Sequence, residues 1–90
     1  MAIQIMSEPP PEPSEIATRI KAAIEGAMSA AIVTVTAVSA GHFEIDVVSA
    51  EFEGLPRVKQ QQRVYAAIRD LMAGDSAPVH AIDRMTTRTA

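Results

Sequence analysis

The chain is 90 residues long, 48% apolar and only 3% aromatic, with no cysteine and a net charge of −3. That length sets one small domain, and the lack of cysteine excludes a disulfide framework and any self-sufficient thiolate metal site. The acid excess disfavours non-specific nucleic-acid binding, which draws on a basic surface.

With Phe43, Phe52 and Tyr65 as its only aromatics, the core is expected to be built from Ile, Val, Leu, Met and Ala. The opening Met1-Ala2-Ile3-Gln4-Ile5-Met6 lacks the basic region and long apolar run of a secretory signal, and Met6 is a second candidate start. No stretch approaches the roughly 18 apolar residues of a membrane span. These features predict a soluble, cytoplasmic protein that does not engage a membrane. Residues 7–13, Ser-Glu-Pro-Pro-Pro-Glu-Pro, carry too many prolines for helix or sheet. Residues 1–13 are therefore expected to form a disordered tail, and residues 14–90 the domain.

Ser14 is a candidate N-cap, followed by Glu15 in the first turn, where the helix dipole favours an anion. Ile16, Ile20, Ala23, Ile24 and Ala27 recur at helical spacing and predict an amphipathic helix to about Met28. Residues 31–36, Ala-Ile-Val-Thr-Val-Thr, are rich in β-branched side chains and read as a strand. Ala37 to Gly41 reads as a loop and Phe43 to Val48 as a second strand, so the pair forms an antiparallel hairpin. Phe52 to Pro56 is a turn, and Pro56 opens a helix from Arg57 to about Ala73. Its apolar stripe is Val58, Tyr65, Ile68 and Met72, widened by Val64 and Leu71, and Gly74-Asp75-Ser76 ends it. Val79 to Thr87 reads as a final strand. A helical crossover precedes it, so it should pair in parallel with one hairpin strand. The expected fold is α+β, in the order α-β-β-α-β, with a three-stranded mixed sheet covered by helices on one face.

The two histidines, His42 and His80, each border a predicted strand. Two neutral imidazoles make an incomplete shell, because tetrahedral zinc or a [2Fe–2S] cluster needs four protein-derived donors or a water in place of one. If these histidines bind metal, the other ligands must come from another molecule. A hairpin loop and the start of a neighbouring strand can share one end of a sheet, which brings the two together; otherwise His42 is an exposed loop residue and His80 a structural one.

The run Arg57-Val58-Lys59-Gln60-Gln61-Gln62-Arg63 places three glutamines among three cations at a helix start. It is either a solvated helix face or a docking surface in which Arg57, Lys59, Gln60, Gln61 and Arg63 meet a partner, phosphates or base edges. Elsewhere, Ser49 lacks a nucleophile elbow, Glu44 and Asp46 read as a solvated strand face, and Glu51 and Glu53 as solvated turn residues. Nothing here supports an enzyme.

Taken in order, Gly41-His42-Phe43, Val47-Val48-Ser49, Phe52-x-Gly54, the Arg57-to-Tyr65 run and Val79-His80-Ala81 resemble the BolA family, especially its IbaG-type (BolA-like) branch, over residues 14 to 87. The resemblance implies a fold related to class II KH domains, with a helix-turn-helix that includes Phe52 to Tyr65. It also implies a heterodimer with a monothiol glutaredoxin that carries glutathione and a labile [2Fe–2S] cluster. In that arrangement His80 is the principal ligand, the hairpin-loop residue His42 the second, and glutaredoxin cysteine and glutathione supply the thiolates. The isolated chain holds no cluster. The role implied is iron–sulfur trafficking or iron sensing. Gln61 stands where many members carry histidine, which fits the IbaG-type branch better than a DNA regulator, and the hairpin loop lacks the Gly-Asp pattern common in relatives. The rival reading is a transcriptional regulator binding DNA through Arg57, Lys59, Arg63, Arg84 and Arg88; a weak homodimer is a further candidate assembly.

Overall fold

The computed structural model describes residues 12–90; the predicted disordered tail lies outside them except for Glu12 and Pro13. Helix α1 spans Pro13–Ala27. It starts one residue before Ser14, because Pro13 occupies the first helical position, where its missing N–H has no bond to lose. Glu12 is the capping residue, and its N–H donates to Glu15 Oε1 at 3.4 Å. Pro13 is thus helix rather than tail. Ile16, Ile20, Ile24 and Met28 form the buried stripe.

Strand β1, Ile32–Ser39, and β2, His42–Val48, are antiparallel neighbours. The connection is shorter than the loop expected from Ala37 to Gly41. Pairing continues to Ser39 opposite His42, with an irregularity between Ala37 and Ser39, and only Ala40 and Gly41 separate the strands. His42 is consequently the first residue of a strand and not a loop residue. Val38 is the extra residue that lets β1 extend this far.

Strand β3, Ala81–Arg88, pairs in parallel with β2, giving the sheet order β1-β2-β3. The ladder slips by one residue between Phe43 and Glu44: Phe43 lies opposite Ile82 and Glu44 opposite Arg84, leaving Asp83 unpaired. Beyond this bulge Met85 and Thr87 face inward beside Ile45 and Val47. The helices cover one face, as expected from the alternation on β2, where Phe43, Ile45 and Val47 are buried between half-buried His42, Glu44, Asp46 and Val48.

A 3₁₀ turn at Ala50–Phe52 follows β2, capped by buried Ser49, whose Oγ accepts the Glu51 N–H at 3.0 Å. It delivers Phe52 to the core. Phe43 and Phe52 are both fully buried and are the largest side chains of that core. Scarcity of aromatics therefore did not exclude them from it: a fully buried Phe contributes about 1.5–3 kcal/mol, and the core centres on both.

Helix α2 covers Arg57–Ala67, and a separate turn, α3, covers Arg69–Met72. The predicted single helix breaks at Ile68, whose φ of −110° and ψ of 13° leave the helical region. Its N–H bonds to Tyr65 O at 3.2 Å, one residue short of the α pattern, and its side chain is buried. The predicted inward stripe holds at Val64, Ile68, Leu71 and Met72 and fails at two positions. Val64 and Ile68 are buried, whereas Val58 and Tyr65 are 57% and 42% exposed. Val64 lies one residue from Tyr65, about 100° around the helix.

Among the described residues, one buried polar side-chain atom lacks a partner. Thr87 is 5% exposed and its Oγ1 makes no hydrogen bond. Thr87→Val keeps the shape and removes the unpaired hydroxyl, so we expect a gain of about 1 kcal/mol, read as a higher melting temperature. An unchanged or lower value would show that the hydroxyl does find a partner.

Candidate functional site

The hairpin turn brings both histidines to one corner of the sheet. Gly41 O accepts two backbone N–H groups, from His80 at 2.8 Å and from Ala81 at 3.0 Å. His42, next in the chain, is in register with Ala81. This meeting depends on Gly41. Its φ is +80°, and a Cβ there would stand 2.6 Å from His80 Nδ1, so a side chain would fit neither the backbone nor the space.

His80 is held from the other side too. Val79 is buried and its N–H donates to Leu71 O at 3.1 Å, which anchors the chain just before the histidine. The ring itself is exposed. It lines a hollow of about 610 Å³ with Ile16 and Arg19 of α1, Ala40, Gly41 and Ala77, on the helix-bearing side.

His42 stands on the open face of the sheet, with the alternate positions of β2 that point away from the core. Its Nδ1 lies 2.9 Å from Asp83 Oδ1, the two side chains being 43% and 38% exposed. The two backbones thus converge while the rings leave opposite faces. Among the described residues, no three His, Cys, Asp or Glu side chains group to hold a metal ion. Asp83 is the site residue that the sequence does not announce. It sits on the bulge of β3, and no pattern in the sequence marks where a ladder will slip.

The residues expected to dock a partner divide into two sets. Arg57 and Lys59 are exposed on the first turn of α2, and Gln61 is half-buried beside them. Gln60 and Arg63 are engaged within the chain: Gln60 Nε2 donates to Leu55 O at 2.8 Å, and Arg63 Nη2 to Glu51 Oε1 at 2.6 Å. Glu51 also accepts from Ser29 Oγ at 3.1 Å. It therefore ties three segments together instead of standing free in solvent as expected. Of the cations offered for DNA, Arg63 pairs with Glu51 and Arg88 with Asp46 at 2.9 Å.

The Arg63 guanidinium, followed by the Ser29 hydroxyl, holds the Glu51 carboxyl below its ordinary pKa. A depressed folded-state value contributes stability above the unfolded pKa of about 4.3, and that contribution is lost as pH falls through the lower folded value. Arg63→Met should therefore lower the melting temperature at pH 7, and the gap from wild type should narrow as pH falls from 7 to below about 4.5. A gap that stays constant over that range would exclude the pairing as its cause.

The profile of the family described as BolA-like protein matches residues 18–90, which include both histidines. The chain belongs to the BolA family. Among solved structures, BolA1 from Arabidopsis thaliana superposes with a TM-score of 0.69 at 24% identity, over 81% of this chain and 89% of that one. BolA1 from Mus musculus gives 0.65 at 26% identity, over 99% of this chain and 75% of that one. The BolA domain of SufE1 from Arabidopsis thaliana gives 0.63 at 21% identity, over 82% and 91%. No curated protein matches the sequence. The BolA family's small α+β fold with a three-stranded mixed sheet is thus the fold of this chain. Among its described residues, no helix is long and apolar enough to cross a membrane.

Proposed function

We propose that this BolA-like chain is the non-enzymatic partner of a monothiol glutaredoxin, with which it shares a [2Fe–2S] cluster in iron–sulfur trafficking or iron sensing. The observation that carries this reading is the corner built on Gly41, where the backbones of His80 and His42 converge. The donor set fits half of such a shell: two neutral nitrogens and no sulfur. Cysteine of the glutaredoxin and the thiolate of glutathione would supply the other half. Imidazole in place of thiolate lowers the cluster's negative charge and raises its reduction potential.

The chain's own residues do three things in this scheme. Gly41 and Leu71 fix the backbone on either side of His80. β2 and β3 both begin at this corner, so rings leaving opposite faces share a metal only beyond the end of the sheet, where a partner surface must stand. The apolar hollow beside His80 and the exposed Arg57–Lys59 turn are the surfaces available for that contact.

The test is anaerobic co-purification of the full chain with a monothiol glutaredoxin and glutathione, read by visible absorption and circular dichroism. A heterodimer whose spectrum differs from that of the glutaredoxin alone supports the reading. A heterodimer that does not form, or whose spectrum is indistinguishable from that of the glutaredoxin alone, would count against it.

A further inference from the structure

We infer that Asp83 is a positioning residue that locks the tautomer of His42 and selects Nε2 as its ligand atom; this rests on the function proposed above. A carboxylate at neutral pH only accepts hydrogen bonds. The 2.9 Å contact from His42 Nδ1 to Asp83 Oδ1 therefore requires a proton on Nδ1, and in the neutral ring the lone pair is then left on Nε2. Metal-ligating histidines characteristically donate their second ring N–H to a carboxylate or carbonyl, which fixes ring orientation and raises donor strength.

The placement along β3 gives the contact a direction. His42 is in register with Ala81, with His80 one residue before that pair and Asp83 two residues after it. Bonding Nδ1 toward Asp83 turns Nε2 away from it. Asp83 reaches His42 because it is the unpaired residue of the bulge, where Ile82 and Arg84 fill the ladder positions on either side. The charges facing the pair are those of β2 and β3 on the same face, namely Glu44 and Arg84, which are in register with each other.

The experiment uses the full chain, ¹⁵N-labelled, with two-bond proton–nitrogen correlation spectra of the imidazoles near pH 8. Wild-type His42 is expected as the Nδ1–H tautomer, lost in Asp83→Ala and restored in Asp83→Glu. Wild-type His42 in the Nε2–H form, or an unchanged pattern in Asp83→Ala, overturns the inference. The cluster-loaded heterodimer supplies the second readout. Loss of such a partner typically weakens metal binding about 10–100-fold, so Asp83→Ala should release its cluster to a chelator at a correspondingly lower concentration. Equal retention with an identical dichroism spectrum also overturns it. A wild-type chain that forms no heterodimer at all instead sinks the functional reading, while the tautomer spectra still decide what Asp83 does to His42.

Discussion

His80→Ala is expected to leave the fold intact and to weaken cluster retention in the glutaredoxin heterodimer by more than about 100-fold. Removing the outer partner of a ligating histidine already costs about 10–100-fold, and removing the ligand itself should exceed the upper end. The fold should tolerate the change because the ring is exposed. The backbone bonds that position residue 80 come from main-chain atoms that alanine retains. Surface substitutions of this kind usually stay within about 0.5 kcal/mol. His42→Ala should cost less, since its ring leaves the face of the sheet away from the hollow. The comparison is made by chelator competition followed at the cluster's visible bands, with circular dichroism of the isolated chains as the control for folding. A His80→Ala heterodimer that keeps its cluster as firmly as wild type removes the central residue of the proposal.

Gly41→Ala is expected to damage both stability and site. A left-handed backbone costs an L-residue roughly 1–2 kcal/mol, and the new methyl would also stand 2.6 Å from His80 Nδ1 and 2.8 Å from its Cγ. For a domain of this size, 1 kcal/mol shifts the melting temperature by about 4–8 °C, so a fall on the order of 10 °C is anticipated. Gly54 separates the two contributions. Its φ is +79°, and a Cβ added there would meet nothing within 4 Å, so Gly54→Ala carries the backbone cost alone. Gly41→Ala should be the more destabilising of the two, and His80→Ala in the same chain, which keeps only the Cβ at 3.2 Å, should recover most of the difference, a coupling that a double-mutant cycle measures. Equal losses at the two glycines, without recovery, would show that His80 does not pack on Gly41.

The elements were legible in the sequence where period and propensity agree. Ile16, Ile20 and Ile24 announce α1, and the alternation from Phe43 to Val48 announces β2 together with its inward face. Parallel pairing of the last strand followed from the helix that precedes it. The misreadings share a cause, which is that a stripe or a boundary depends on contacts elsewhere in the chain. Val58 and Tyr65 are at helical spacing yet exposed, while Val64, expected only to widen the stripe, is fully buried with Ile68. The two candidate ligands could be named, and so could their shared end of the sheet. That their rings leave opposite faces depends on the hairpin being tighter than local composition suggests. Glu51 looked solvated because its partners, Arg63 and Ser29, lie 12 and 22 positions away.

The slip in the β2–β3 ladder lets one residue be varied apart from its neighbours. Asp83 fills no rung, so substituting it alters no paired position, whereas shifting any paired residue by one would turn its side chain to the other face. A carboxylate placed there is free to be exchanged for another group while the scaffold beneath stays constant. Under the proposed function, the strength with which the second imidazole donates can thus be tuned at this one position while the architecture stays as it is.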